Sequence, residues 1–414
     1  MNEIGLSNSF GVLLLDVGII IVITLFVSYV FKKIGIPAVM GILIGGILIG
    51  FNEGFKSFLL ADNLSSFRLL ITEIAIGYIA YDIGNEIDLE IWKDRINKYL
   101  IIILGEISVP FLLVTGFFTF VLQVNLGVSM ILGAIAMTTA PVVTSEILGD
   151  YHTDEELNQL VLFLLAFDSV ISILFLNMAV TMVTIRTSSL NLLEAIIITI
   201  AQKLGVSLVL SVLGSLFILF MLNRRNLEER SLLEWLLGVS LVILGITLTL
   251  NGSVILTMLF FGIILKTMES KHEILEEHVL QIETLLVPVV LLFYIIMGVS
   301  LDIPYVLGSG IFLVLWYFAL RFIGKLSGTF IATKGSNLPK NIKNNLHYFL
   351  ITQGGIAIAL AGLAFNQLLA LNMQSEASLV ITVVAFGVIL SEFVGPLLLR
   401  FGIVQSQNGS VPVQ

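Results

Sequence analysis

The chain has 414 residues, 57% of them apolar and only 12% charged, with a mean hydropathy of +1.07 and a formal charge of −9. A water-soluble domain carries about 25% charged residues; half that share cannot cover a globule in water, so lipid must solvate much of the surface. The negative balance argues against nucleic acid as a partner, and the lack of cysteine excludes disulfides, thiol catalysis and Cys-ligated metal sites.

Apolar runs separated by short polar turns are expected to span a bilayer near 10–31, 36–51, 67–87, 98–123, 126–148, 156–184, 190–222, 232–249, 252–267, 280–300, 305–333, 343–367 and 376–401. This describes an all-α polytopic membrane protein of about thirteen transmembrane helices. The first run, 13–30, is long enough to span and no small-residue cleavage site follows it, so it reads as a segment rather than a signal peptide. The runs at 36–51 and 252–267 are short for a straight span. A transmembrane domain is expected over 1–402, with 403–414 a short cytoplasmic tail and no regulatory domain.

With this count, one set of connections holds fourteen of the twenty basic residues, among them Lys32, Lys33, Arg224, Arg225, Lys340, Lys343 and Arg400. The other set holds only Lys56, Arg68 and Arg186. Basic residues accumulate on the cytoplasmic side, so the C-terminus is expected there, in the plasma membrane.

Two runs carry helix-breaking signals at mid-span. AIAMTTAPVVTSEIL places Pro141 beside Thr138, Thr139, Thr144 and Ser145, and FLITQGGIAIALAG places Gly354 and Gly355 after Thr352 and Gln353. Proline removes a backbone donor and paired glycines weaken a helix. Such breaks survive in a membrane where the freed backbone groups line a polar cavity. The two broken segments are seven apart in order, so 36–184 and 252–401 read as two five-helix halves of opposite topology. A core bundle forms around 126–184 and 305–367, with two crossed discontinuous helices. Matched interruptions in inverted repeats point to a transport site.

A charge at the bilayer centre costs roughly 2.5–3.5 kcal/mol on insertion scales. Asp168, in LVLFLLAFDSVISILFL, has about a dozen residues of span on either side and no base near it in sequence. Such a carboxylate can hold a proton or a dehydrated monovalent cation, but not both well; hydrogen bonds from Ser169 or a hydroxyl of the fifth run could instead keep it neutral. Arg321 and Lys325 lie one helical turn apart on one face and need a carboxylate or the carbonyl ends of a broken helix as partner. Glu73, Glu106, Glu146, Glu283 and Glu392 also fall in or near spans. Glu73 and Glu392 look deepest, and all five read as packing or helix-orienting groups before ion ligands. Asp16 lies near the outer end of the first run, Asp82 near the inner end of the third, and Lys203 near mid-span with no partner to name. GILIGGILIG offers Gly41, Gly45, Gly46 and Gly50 for close helix packing. His152, His272, His278 and His347 match no metal spacing, and the acidic stretches DYHTDEE and EILEEH read as solvated faces.

From 36 to 400 the chain resembles the monovalent cation:proton antiporter superfamily, in the branch with bacterial sodium/proton antiporters and potassium-efflux exchangers. The resemblance is carried by eight motifs in order: IPAVMGILIGGILIG, ITEIAIGYIAYDIGNEID (with Gly84, Glu86 and Asp88), LGAIAMTTAPVVTSEIL, FDSVISIL, LLVPVVLLFYIIMGVSLD, RFIGKLSG, ITQGGIAIALAG and LSEFVGPLLLR. It implies that Asp168 is the ion- and proton-binding carboxylate and the ligand of the transported metal cation. Thr138, Thr139 and Ser169 would lie beside it. Lys325, with Arg321 as the alternative, would be the basic partner, and Glu73, Asp82 and Glu392 secondary carboxylates. It further implies alternating access of a core bundle against a dimerisation bundle, and a homodimer. Two departures stand out. Phe167 replaces the polar residue usual before the key aspartate, leaving a single carboxylate at the site and suggesting electroneutral exchange. Ile356 follows Gly355 where many relatives carry Glu.

The expected function is therefore a secondary antiporter exchanging Na⁺ or K⁺ for H⁺, with no cofactor and no enzymatic site. The alternative is a transporter of the same fold carrying an organic solute with a cation. A channel or membrane sensor is a third possibility.

Overall fold

The computed structural model describes residues 2–33, 38–60, 64–85, 87, 96–150, 155–184, 192–222, 229–269, 274–301, 303–336 and 338–407. Glu86, Asp88, His152, His272 and the tail from 408 lie outside the described residues, as do the side chains of Asp16, Ser145, Glu146, His278 and Glu283.

The described elements are helical. They run as α1 (Asn2–Lys33), α2 (Ala38–Gly50), α3 (Glu53–Leu59), α4 (Ser65–Asn85), α5 (Ile96–Gly116), α6 (Leu126–Ala136), α7 (Pro141–Asp150), α8 (Glu155–Thr184) and α9 (Leu192–Leu222). The second part holds α10 (Glu229–Thr249), α11 (Val254–Glu269), α12 (Ile274–Val299), α13 (Ile311–Lys334), α14 (Lys340–Asn345), α15 (Gly355–Ala370) and α16 (Gln374–Gln407). A π turn, Phe117–Val121, extends α5, and a 3₁₀ turn, Leu346–Leu350, extends α14. The last helix runs past the expected boundary at 402, so 403–407 are helix rather than tail.

Among the described residues, five helices are long and apolar enough to cross a membrane by themselves, and up to seven spans result if each of two bent pairs counts as one. The pairs are α2 with α3, bent by 111°, and Lys340–Leu350 with α15, bent by 43°. Shorter apolar helices, such as Leu126–Ala136 and Val254–Met268, fill the interior. Large apolar side chains face outward on α9 and α10, for example Ile197, Val209, Leu213 and Val242. Hydroxyl side chains of both helices, Ser207, Ser211, Ser215 and Thr247, are buried, and Ser211 Oγ donates to the Thr257 carbonyl at 2.6 Å. That arrangement is stable only with lipid outside.

Close helix contacts follow the small residues. On α2, a Cβ at Gly45 would lie 2.9 Å from the Thr24 backbone of α1, and one at Gly46 would lie 2.7 Å from the Ile295 carbonyl of α12. The same device joins α5 to α13. A Cβ at Gly105 would lie 2.8 Å from the Gly328 carbonyl, and one at Gly324 would strike Pro110. These two helices therefore touch backbone to backbone, Gly105 against Gly328 and Gly324 against Pro110.

Candidate ion site at the crossing of two broken helices

Both expected breaks are present. The first lies between α6, ending at Ala136, and α7, which Pro141 begins; proline fits a first helical turn, where its missing N–H has no partner to lose. The second lies between the 3₁₀ turn and α15, at 351–354. The breaks meet directly: Ala140 N donates to the Thr352 carbonyl at 3.1 Å, and the Thr144 and Thr352 hydroxyls are 2.9 Å apart. Gly354 and Gly355 are small because neighbours occupy the space a side chain would need. A Cβ on Gly354 would lie 2.9 Å from a Glu392 carboxylate oxygen, and one on Gly355 would strike the Tyr294 hydroxyl.

A helix end leaves carbonyls without donors, and a low-dielectric interior makes that costly. Here several are answered. Ser172 Oγ of α8 donates to Ala134 O at 2.6 Å, and Gln353 Nε2 donates to Ile135 O at 3.0 Å. Arg321 answers both breaks at once. Its Nη2 donates to Thr138 O at 2.6 Å and Thr352 O at 3.0 Å, and its Nη1 to Ile351 O at 2.6 Å and Ser391 Oγ at 3.3 Å. The guanidinium sits at the negative ends of two helix pieces, where a cation is favoured.

Asp168 lies at mid-length of α8 with no exposed surface. Thr139 Oγ1, in the first break, donates to its Oδ2 at 2.6 Å, and Ser169 Oγ approaches Oδ1 at 3.2 Å. Lys325, one turn beyond Arg321, donates to Asp168 Oδ2 at 3.0 Å and to Thr139 Oγ1 at 2.9 Å. Its third partner is Glu106 Oε1 of α5. Asp168, Glu106 and Lys325 are all wholly buried.

The structure thus gives the two cations separate partners. Lys325 pairs with carboxylates and Arg321 with carbonyl ends; sequence alone had left the choice between them open. Thr138 contributes its backbone carbonyl, to Arg321, while its hydroxyl donates to Ile135 O at 2.9 Å. The expectation of a single carboxylate is corrected: Glu106, read as one of five packing groups, shares Lys325 with Asp168. The signal that bears on it is the small residue before each partner: Gly105 packs against Gly328 of α13 and Gly324 against Pro110 of α5. Phe167 turns its ring onto Phe163, with centroids 5.0 Å apart. Glu73 and Asp82 lie on α4, outside the helices that carry the cluster, and Glu392 lies on α16 against Gly354. Lys203 of α9 finds a neutral partner, donating to Asn177 Oδ1 of α8 at 2.8 Å. His347 packs against Phe330 and Tyr348. A cavity of about 580 Å³ opens between α4, α12, α15 and α16, lined in part by Lys56, Arg68, Thr72 and Asn366, and none of its lining residues belongs to the cluster.

Two solved structures share this architecture, both of the sodium proton antiporter MjNhaP1 from Methanocaldococcus jannaschii. One, at pH 8, matches with a TM-score of 0.71 and 17% identity, covering 95% of this chain and 98% of that one. The other, an electron-microscopy map, matches with a TM-score of 0.68 and 16% identity, covering 100% of both chains. Comparison with curated proteins found no matching sequence. The transmembrane region of the sodium/hydrogen exchanger family matches residues 20–400. The chain is a multi-pass integral membrane protein and belongs to the sodium/hydrogen exchanger family.

Proposed function

We propose that the protein exchanges a monovalent cation, Na⁺ or K⁺, for H⁺ by alternating access, with cation and proton competing for Asp168. One observation carries this reading: a carboxylate with no exposed surface, held by an ammonium and two hydroxyls where two helix breaks meet. Family membership and the fold shared with a sodium proton antiporter support it. Deprotonated, Asp168 offers a cation its carboxylate beside the oxygens of Thr139 and Ser169 and the carbonyls of the break. Hard cations prefer such oxygen ligands. Protonated, the carboxylate loses the charge that held the ion. Provided Lys325 keeps its own charge, the cycle trades one cation for one proton and is electroneutral.

The same proposal includes about thirteen spans, the inverted repeats 36–184 and 252–401, and movement of the core bundle around 126–184 and 305–367 against the rest. It also includes a homodimer in the plasma membrane with a cytoplasmic C-terminus. The test is a panel of Na⁺, K⁺ and Li⁺ on purified protein in liposomes with an internal pH reporter, wild type beside Asp168→Asn. Cation-driven proton movement is expected in the wild type and none in the variant; equal rates would overturn the assignment. The apolar ring of Phe167 next to Asp168 favours the organic-solute alternative, and a dye response to inorganic cation alone rules it out.

A further inference from the structure

We infer that Glu106 is a positioning residue for the exchange: it holds Lys325 while the cation occupies Asp168, and so sets the affinity for the cation. The inference rests on the exchange reading above.

An ammonium has three N–H donors, and Lys325 spends them on three acceptors, Glu106 Oε1, Thr139 Oγ1 and Asp168 Oδ2. Lys325 and Thr139 both sit on Asp168 Oδ2, while Oδ1 has Ser169 beside it. A cation on the same buried carboxylate repels the ammonium at this short range, so Lys325 withdraws as the cation binds. An uncompensated buried ammonium would be strongly unfavourable. Glu106 removes that cost without any large movement. It is wholly buried and already bonded to Lys325, and its second oxygen, Oε2, has no hydrogen-bond partner among the described residues. The N–H that leaves Asp168 has an acceptor waiting on the carboxylate that already holds its neighbour. Of the other charges near the crossing, Arg321 is committed to the carbonyls of both breaks, and Glu392 lies on α16 beside Gly354.

The direction of the effect follows in two ways that agree. Without the Glu106 charge, Lys325 is left with Asp168 as its only anion and binds it more firmly, so the cation displaces it less readily. The cluster also loses one negative charge that attracts the cation. Both weaken cation binding, whereas neither acts on the rate once the site is saturated.

The experiment measures proton movement against cation concentration in proteoliposomes, using whichever of Na⁺ or K⁺ drives the wild type, with folding checked by gel filtration. For Glu106→Gln, KM for the cation is expected to rise about tenfold, equivalent to about 1.4 kcal/mol, with the maximal rate within about threefold of wild type. Glu106→Asp keeps the charge but draws it back by one methylene, and is expected to raise KM by about threefold. An unchanged KM in Glu106→Gln overturns the inference, and so does a lost maximal rate at constant KM, which is the mark of a merely structural group. If Glu106→Gln does not fold, Glu106→Asp decides: a raised KM supports the inference and an unchanged KM overturns it. Wild-type transport by Asp168→Asn would sink the exchange reading itself. An inactive Asp168→Asn beside an unaltered Glu106→Gln sinks only this step.

Discussion

Replacing Arg321 should loosen the crossing of the two broken helices more than any other single change on α13. The guanidinium is 1% exposed and makes three bonds to carbonyls, at 2.6, 2.6 and 3.0 Å, two in the second break and one in the first. A hydrogen bond to a charged group contributes about 1.5–3 kcal/mol, which would give about 5–9 kcal/mol if the three simply added. They do not, because burying the guanidinium costs several kcal/mol that its removal returns. Breaking a buried charged network by removing one member typically costs about 3–5 kcal/mol, and that is the expected loss for Arg321→Met, a swap that keeps an apolar stem and limits the cavity. Arg321→Lys keeps the charge but not the planar fork, and a single ammonium cannot reach both breaks as the guanidinium does. It should lose at least one carbonyl bond, about 1.5–3 kcal/mol. Thermal melting of the purified protein in detergent checks the ranking, wild type above Arg321→Lys above Arg321→Met. The drop for Arg321→Met should be about 5 °C or more. An Arg321→Met protein that melts within about 1 °C of wild type and still transports would refute the reasoning.

Two further outcomes follow from the site. Thr139→Val removes the 2.6 Å donor to Asp168 and one acceptor of Lys325; cation-driven proton movement should fall about tenfold or more, the equivalent of one charge-assisted bond, while Thr139→Ser, which retains the hydroxyl, should recover most of it. If Val and Ser behave alike, the hydroxyl has no part in binding. Competition at Asp168 also fixes a pH signature. The apparent KM for the cation should rise as pH falls, by up to about tenfold per unit below the carboxyl pKa, and level off above it, with the rate at saturating cation unchanged. A KM constant over three pH units would contradict competition at one carboxylate.

The breaks and the buried aspartate were legible in the sequence because each is a local contradiction. Pro141 inside an apolar run, a Gly354–Gly355 pair inside another, and Asp168 amid leucines and phenylalanines each violate the rule their segment otherwise obeys. Glu106 was not legible in the same way. It was one of five glutamates in or near spans, and its role depends on a partner 219 residues away. The partner of Lys203 was hidden for a related reason: Asn177 is uncharged, and no charge rule points to it. The assignment of Arg321 and Lys325 was likewise underdetermined. Spacing placed both on one face, but only the packing of α13 against α5 and the breaks decides which cation meets carboxylates and which meets carbonyls.

That decision has its own chemistry. Arg321 faces acceptors that do not change during exchange, backbone carbonyls of two chain segments that must stay together whatever the site holds. A planar, delocalised cation with donors in a fixed fork suits a fixed target, and its charge is not lost in proteins. Lys325 faces acceptors of which one must be surrendered to the arriving ion. A compact ammonium with three rotatable donors can leave one oxygen and keep two others, which a bidentate fork cannot do as readily. The two residues are one turn apart on one helix, so the anchored cation holds the mobile one at a constant distance from the breaks. The separation of a permanent clamp from an exchangeable contact explains why a second carboxylate belongs at the mobile cation: Glu106 stands where a charge must be handed over, and Arg321, which hands over nothing, makes its three shortest bonds to carbonyls.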